Sequence, residues 1–349
     1  MDDVSNDSCS RIRCLDPLAV MILRCTRGIR GILCVILGLI LSLVGCTFLF
    51  ADSEAPLTPR DAMRTLVSDI SEYTTVREPG FFVIAQNGDE LLTTGDTASG
   101  PLAADYIDAI DGLGREDLFY GYSADNEPTP VESTEWMLTY LDRAESLGIE
   151  VLAIDYCWDS GRMDDSYARN SERGFTSFAA PLRGLDVIPA YPSAPFGVNA
   201  DAVLDLSDVR NFLYLINPWQ FETKTNFLSN LAATNYDALI LDLEFEDGPL
   251  TTADVAQLKV KANGGTRLVL CYLSIGEAED YRSYWEPSWT ANPPEWLLDE
   301  NPDWEGNYPV QFWHSEWRTI VFAMLDTVLA AGFNGVYLDR VDVYEEFEN

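Results

Sequence analysis

The sequence predicts an α/β protein folded as a (β/α)8 TIM barrel, and two observations carry this prediction. Eight apolar runs of strand length follow one another through residues 58–349. They are nearly continuous rather than alternating, as is typical of parallel strands buried on both faces. Helical patterns lie between most of them. We therefore predict one barrel domain over 58–349, with a doubly wound open sheet as the alternative.

The strands are predicted from short apolar runs that contain β-branched and aromatic residues and that end at turn-forming residues. Their length of four to seven residues is typical of strands and too short for most helices. The predicted strands cover 81–86, 118–122, 151–156, 176–179, 212–216, 238–242, 268–274 and 335–339.

Capping residues indicate where the helices begin and end. Thr58 before Pro59 is a typical helix start, because the hydroxyl can accept from a free amide and proline is tolerated at the first position. Gly148, Gly264 and Gly332 follow three helical patterns and favour their ends. The predicted helices cover 59–73, 101–110, 133–147, 221–233, 252–262 and 317–331.

The N-terminal part is predicted to be a secretion signal and a tether. Three arginines between positions 24 and 30 precede an apolar run that ends in Leu-Val-Gly-Cys, which resembles a lipobox. We therefore expect a signal over 1–45, lipidation of Cys46, a tether over 46–57, and a lipoprotein on the outer face of the membrane. An uncleaved anchor is the alternative, although a spanning helix needs roughly 20 apolar residues. Met21 is an alternative start.

Composition excludes several classes of function. The net charge of −35, with lysine at three positions only, is opposite to that of nucleic-acid-binding proteins. Adaptation to salt explains this acidity better than attraction of a cationic substrate, because the acids are spread along the whole chain. The single histidine, His314, excludes Ser-His-Asp catalysis and histidine-based zinc sites. We predict no metal and no cofactor.

Carboxylates at the ends of three predicted strands indicate a catalytic pocket. Asp242 and Asp339 end their strands, while Glu277 and Glu279 follow the strand at 268–274. In barrel enzymes the carboxyl-terminal ends of the strands carry the chemistry. We therefore expect these acids to line one cleft.

The segment 285–317 is predicted to be a long functional loop over this cleft. It contains six tryptophans and five prolines, and the prolines disfavour both helix and sheet. Its aromatic density argues against disorder. We expect most of these rings to form a small core, and one or two to stack on sugar.

Three motifs resemble glycoside hydrolase family 114. They are LSIGEAEDYR at 273–282, NPDWEGNYPV at 301–310 and GVYLDRVD at 335–342. This family includes endo-α-1,4-polygalactosaminidases and extracellular proteins once labelled as related to cysteinyl-tRNA synthetase. The sequence lacks the His-Ile-Gly-His and Lys-Met-Ser-Lys-Ser signatures of such synthetases, which excludes that label.

The resemblance also implies a circular permutation. The segments FFVIAQNGDELL, REDLFY and VLAIDY resemble parts that follow the GVYLDRVD motif in the relatives but precede it here. Residues 58–205 thus resemble the family's C-terminal half, and 206–349 resemble its N-terminal half. We expect the strand at 335–339 to lie beside that at 81–86.

The resemblance implies a hydrolase of an amino-sugar polysaccharide, polygalactosamine-like. The leader predicts that it is extracellular, and we expect a monomer. Two carboxyl groups carry out most glycoside hydrolysis, and we expect Asp339 and Glu279 to be the pair. Asp242 and Glu277 would support them. The alternative is a non-catalytic polysaccharide-binding lipoprotein, and some relatives have Glu where Tyr337 stands. The predicted substrate-binding residues are Asp155, Asn87, Tyr272, Arg282, Tyr337, Trp285 and Trp313.

Overall fold

A computed structural model describes residues 58–95, 97–245 and 248–348. The predicted signal over 1–45, Cys46 and the predicted tether lie outside the described residues. None of the helices in the described part is long and apolar enough to cross a membrane.

Eight parallel strands form the wall of a barrel, and two short antiparallel strand pairs are separate from this sheet. The pairs are β7 (Glu244–Phe245) with β8 (Gly248–Pro249), and β10 (Glu277–Glu279) with β11 (Asn307–Pro309). The wall strands are β1 Phe82–Gln86, β2 Gly112–Glu116, β3 Glu150–Tyr156, β4 Thr176–Ala180, β5 Phe212–Leu215, β6 Ala238–Asp242, β9 Leu268–Ser274 and β12 Gly335–Asp339.

Helices alternate with the wall strands, which confirms the predicted TIM-barrel architecture. They are α1 Pro59–Arg77, α2 Ala104–Ile107, α3 Val131–Ser146, α4 Ser160–Glu172, α5 Lys224–Ala232, α6 Thr252–Leu258 and α7 Ser315–Ala331. The helix α4 was not predicted, because it has few apolar residues to set a periodic pattern. Asp159 caps it by accepting from the amides of Gly161 and Arg162.

The strand order around the barrel is β4-β3-β2-β1-β12-β9-β6-β5. The expected neighbours β1 and β12 pair in parallel, with Phe82 opposite Gly335. No ladder joins β4 to β5 among the described residues. The rings of Phe178 and Phe212 lie 5.8 Å apart across this seam, and the long connection 181–211 links the two strands.

The second strand was predicted in the wrong place. It covers Gly112–Glu116 instead of 118–122, because two glycines obscure a strand signal. Gly114 is required by packing, since a Cβ at this position would lie 2.0 Å from Tyr337 Oη. Tyr337 is completely buried in the barrel interior. This correction affects the site, because Glu116 is the last residue of the observed strand.

Candidate active site

Asp339 ends β12 at the mouth of the barrel, and the pKa of its carboxyl group is raised. The Tyr272 hydroxyl donates to Asp339 Oδ2 at 2.7 Å. Its pKa is raised to about 7, mainly because the carboxyl group is buried and also because of the negative charge of Glu116. Asp339 therefore exchanges its proton near neutral pH while remaining partly exposed to solvent.

Glu116 ends β2 and accepts three side-chain hydrogen bonds. Gln86 Nε2 donates to Glu116 Oε2 at 2.6 Å, and Asn87 Nδ2 donates to the same oxygen at 3.2 Å. The Tyr156 hydroxyl donates to Oε1. Burial raises the pKa of Glu116, while the hydrogen bonds from Tyr156 and Asn87 lower it. These donors favour the charged carboxylate and fix its orientation.

Strand parity places both carboxyl groups on the interior face. Asp339 is two residues beyond Tyr337, and Glu116 is two residues beyond Gly114, so each pair shares a face of its strand. Tyr337 meets Gly114 inside the barrel. Asp339 and Glu116 therefore lie one layer above that contact, on strands separated by β1 alone. Two strand spacings amount to about 10 Å, and the inward side chains shorten this gap.

The backbone turns sharply after each of these three strands. Asn87, Asp117 and Arg340 directly follow β1, β2 and β12, with φ values of 59°, 59° and 58°. Left-handed conformations of non-glycine residues cost energy and are concentrated at functional sites. Here they direct the chain away from the mouth of the barrel immediately after the carboxylates.

A second group of acids, Asp242 and Glu279, is paired with Arg282. Its Nη1 lies 2.6 Å from Asp242 Oδ1, and its Nε lies 2.6 Å from Glu279 Oε2. A further bond from Nη2 reaches Glu279 Oε1 at 3.2 Å, which makes that contact bidentate. The Tyr281 hydroxyl also donates to Glu279, at 2.6 Å. Glu279 is thus buried with both oxygens occupied.

Glu277 forms a single ion pair with Arg340. Arg340 Nε lies 3.0 Å from Glu277 Oε1, and Asn301 Nδ2 donates to that oxygen at 2.8 Å. The close approach depends on Gly276, where a Cβ would lie 2.2 Å from the Arg340 carbonyl oxygen. The structure thus brings all four predicted acids to the barrel mouth, but three of them pair with arginine.

Two predicted substrate contacts are wrong. Asp155 is 0% exposed, because its strand parity turns it outward toward α4. Its oxygens accept from the amides of Phe119 and Tyr120 and from Ser166 Oγ. Tyr337 is also 0% exposed and lies beneath the site. Neither residue can reach a substrate.

The other predicted binding residues divide into two groups. Asn87 and Tyr272 contact the carboxyl pair directly. Trp285 packs 5.2 Å from Trp289 and 5.0 Å from Tyr308, as part of the small aromatic core that was expected. Trp313 packs 4.9 Å from Phe347. Stacking on substrate stays a prediction for these two tryptophans.

Two cavities open near the barrel mouth. One of about 450 Å³ is lined by Trp219, Asp242 and Arg282, among others. The other, of about 500 Å³, lies between the segment 298–304 and Arg340. The lining of neither includes Glu116 or Asp339. In the part of the chain that the structure describes, no group of three or more histidine, cysteine, aspartate or glutamate side chains could hold a metal ion.

Three members of the site were not predicted from the sequence: Glu116, Gln86 and Tyr156. Glu116 was hidden because its strand was misplaced, although the motif at 115–120 contained it. Trp219 was missed because it is isolated in the sequence from the tryptophan-rich loop. A strand-parity test on 112–116 would have predicted an inward carboxylate at its end.

Comparison with protein families gives a match that covers the C-terminal part of the chain. Residues 215–349 match the model of glycoside-hydrolase family GH114. The motifs LSIGEAEDYR and GVYLDRVD both lie within the matched segment.

Three curated relatives are similar over a comparable length. An uncharacterised protein of Methanocaldococcus jannaschii is 40% identical over 150 residues, which are 42% of this chain and 42% of the relative. One of Thermotoga maritima is 36% identical over 127 residues, covering 36% and 39%. One of Deinococcus radiodurans is 40% identical over 122 residues, covering 35% and 38%. The chain thus spans about two fifths of the length of these relatives.

Among solved structures, the chain is similar to Aspergillus fumigatus Ega3 in complex with galactosamine. The identity is 26%, the match covers 32% of this chain and 39% of that chain, and the TM-score is 0.26.

Proposed function

We propose that the protein is a member of glycoside-hydrolase family GH114, whose model residues 215–349 match, and that it hydrolyses an amino-sugar polysaccharide with Asp339 and Glu116 as its reacting carboxyl pair. The observation that carries the proposal is the electrostatic state of this pair. Both groups have raised pKa values, mainly because of burial, and the charge of Glu116 acts on Asp339. Such a pair can hold one proton between two carboxyl groups, as glycoside hydrolysis requires.

The hydrogen bonds divide the two roles. Glu116 accepts from two amide groups and a phenol, which orient its carboxyl group and oppose the rise in pKa that burial causes, and we assign it as the base or nucleophile. Asp339, whose pKa of about 7 leaves it protonated in much of the population at neutral pH, is the acid. Asp339 gives its proton to the glycosidic oxygen as the bond to the anomeric carbon breaks.

Glu116 then completes the reaction in one of two ways. In a retaining mechanism it attacks the anomeric carbon as the leaving oxygen departs, and water then hydrolyses the glycosyl ester while Asp339, now a carboxylate, takes a proton from that water. In an inverting mechanism Glu116 takes a proton from the water that attacks the anomeric carbon. The anomer released first, followed by NMR, distinguishes these mechanisms. Glu279 is a poor candidate for either role, because Arg282 occupies both of its oxygens.

The test is release of reducing sugar from a deacetylated galactosamine polymer, with N-acetylated and glucosamine polymers for comparison. We expect the wild type to cleave the deacetylated galactosamine polymer and Asp339→Asn to lose this activity with little change in melting temperature. Asparagine is nearly isosteric with aspartate but does not ionise. A wild type that releases no sugar from any amino-sugar polymer contradicts the proposed hydrolysis.

A second function, polysaccharide binding without catalysis, is favoured by the arginine pairs. Asp242, Glu277 and Glu279 are all engaged by Arg282 or Arg340, and acids so engaged orient sugars better than they transfer protons. Tight binding of an intact galactosamine polymer by a wild-type protein that does not cleave it would favour this alternative.

We also propose the extracellular, lipid-anchored location that the Leu-Val-Gly-Cys sequence predicts. The acidic shell is compatible with an aqueous exterior and repels anionic lipid headgroups, so retention on a membrane depends on the lipid. Cys46→Ser should move the protein from the membrane fraction to the soluble fraction. A variant that stays membrane-bound after a high-salt wash points instead to an uncleaved anchor.

We further propose the circular permutation with boundaries at 58–205 and 206–349. Its support is the short distance between the two ends of the described barrel, where Arg60 Nη2 lies 3.0 Å from Glu348 Oε2. The unladdered seam between β4 and β5 is where the relatives' termini would fall. A rearranged chain with 206–349 ahead of 58–205 should fold with the same activity. Failure to fold, while the original order folds, contradicts the proposal.

A further inference from the structure

We propose that the cavity beside β5 and β6 is a subsite that binds a positively charged amino-sugar unit of the polymer, separate from the unit that is cleaved. Trp219, Glu222 and Glu244 are its recognition residues. The inference rests on the proposed function, because it names where the same polymer continues beyond the reacting carboxyl pair.

The position of the cavity suits a neighbouring unit of a bound chain. Asp242, in the cavity wall, lies opposite Tyr272 in the β6–β9 ladder. Tyr272 in turn donates to Asp339. The cavity is therefore two strand spacings, about 10 Å, from the strand of the acid. A polymer that lies across the barrel mouth passes both places.

An open aromatic platform forms one side of the cavity. Trp219 is 67% exposed and Tyr281 is 56% exposed, although large rings are usually well covered. Apolar neighbours continue this surface, as in sites that bury a ligand ring with few polar contacts. They are Ile216, Pro218, Phe245 and Pro249.

The charge of the lining selects a cation. Glu222, Asp242 and Glu244 contribute three carboxylates against the single guanidinium of Arg282. Arg282 already bonds to Glu279 as well as Asp242. Glu222 is exposed, and within the described residues it takes part in no hydrogen bond or ion pair.

An ammonium group satisfies both features at once. It is attracted to the face of tryptophan by a cation–π interaction and to the free carboxylate of Glu222 by its charge. An N-acetylated sugar has neither attraction, because its nitrogen is neutral. The subsite would therefore bind a deacetylated sugar unit in preference to an acetylated one, at a position of the polymer that is not itself cleaved.

The experiment measures binding to a variant that cannot cleave, either Asp339→Asn or Glu116→Gln, by titration calorimetry. The probes are a galactosamine hexamer and its N-acetylated form. In that background, Trp219→Ala should raise the Kd of the galactosamine hexamer about fivefold. The preference is the Kd of the N-acetylated hexamer divided by the Kd of the galactosamine hexamer. Glu222→Gln should lower this ratio about threefold. The matched control is Trp136→Ala, which removes a tryptophan 43% exposed on the outer helix α3.

The outcomes separate this inference from the proposed function. An unchanged Kd in Trp219→Ala, or an equal loss in Trp136→Ala, overturns the subsite even if the wild type hydrolyses the polymer. Dependence on Trp219 and Glu222 in a protein whose wild type never cleaves the polymer supports the subsite and contradicts the hydrolase. Normal thermal unfolding of each variant confirms that the binding site is folded.

Discussion

The acidic side chains on the two sides of the barrel mouth have different partners. On the side of β6 and β10, Asp242 and Glu279 share Arg282 at 2.6 Å each. On the side of β12, β1 and β2, Asp339 and Glu116 receive hydrogen bonds from hydroxyl and amide groups. Among the described residues, no arginine forms an ion pair with either of them.

The difference indicates which acids can do chemistry. A carboxylate paired with a guanidinium is held as an anion in one geometry, and removal of its partner leaves an uncompensated charge. A buried carboxyl group without such a partner has a raised pKa and can exchange a proton at neutral pH. One side of the mouth therefore holds its acids in a fixed frame, and the other carries the pair that we propose for acid–base catalysis.

The largest expected effect is on activity, and it comes from removing the charge of Glu116 in the proposed Asp339–Glu116 pair. Glu116→Gln should lower kcat on the galactosamine polymer by about 10³-fold, because a positioned base or nucleophile is lost. Glu132→Gln, which alters an exposed acid at the start of α3, is the matched control. A Glu279→Gln variant that loses more activity than Glu116→Gln at equal stability would reverse the comparison.

Arg282→Met should have the next largest effect, and the effect should be on stability. It leaves Asp242 and Glu279 without their shared cation, and breaking such a buried arrangement costs about 3–5 kcal/mol of unfolding free energy. Urea denaturation measures this loss. Arg173→Met, which removes the exposed pair with Asp142, should cost less than about 1 kcal/mol. Similar losses in the two variants would show that Arg282 is not a buried neutralising group.

The pH dependence of stability should reveal Asp339. Its folded pKa is about 7, above the roughly 3.9 of an unfolded aspartate. Between these values the unfolded chain binds fewer protons, so this group's contribution to the unfolding free energy declines as pH rises. Asp339→Asn should remove that part of the slope between about pH 4 and 7. If wild type and variant have the same slope, the carboxyl group is ionised throughout.

Arg183→Gln should have the smallest of these effects, about tenfold on kcat/KM or less. Arg183 stacks 3.8 Å from the centre of the Tyr156 ring and holds Asp117 at 2.7 Å, so it positions Glu116 through Tyr156. The pH at which activity rises should also shift in this variant, whereas a purely structural role of Arg183 would leave that pH unchanged. Arg169→Gln is the control, because Arg169 stacks on Phe119 instead. An unchanged pH profile in Arg183→Gln contradicts the positioning role.

The barrel could be predicted because continuous apolar runs mark parallel strands, and seven of eight runs were placed within two residues of their observed bounds. The carboxylates after apolar strands, such as Asp242 and Asp339, were predicted for the same reason. Glu116 was not, because Gly112 and Gly114 remove the apolar signal that a strand normally gives. Gly114 makes room for Tyr337, which comes from a strand more than 200 residues away in the chain, and no local pattern reports such packing.

The partners of the acids were harder to predict still. Arg282 was expected to hold carboxylates, but a spacing along the chain does not tell which ones. The left-handed turn at Asn87 and the outward parity of Asp155 decide which side chain meets Glu116 and which faces a helix. These are properties of backbone direction that the residue types do not fix.

The seam between β4 and β5 makes this molecule an assembly of two four-stranded parts. The β1–β12 ladder joins 58–205 to 206–349, and at the seam ring packing takes the place of a ladder. Glu116 belongs to the first part and Asp339 to the second. A chain cut within 181–211 therefore yields two fragments that each carry one member of the proposed acid–base pair. Recovery of hydrolysis on mixing them would report their reassociation without any added label.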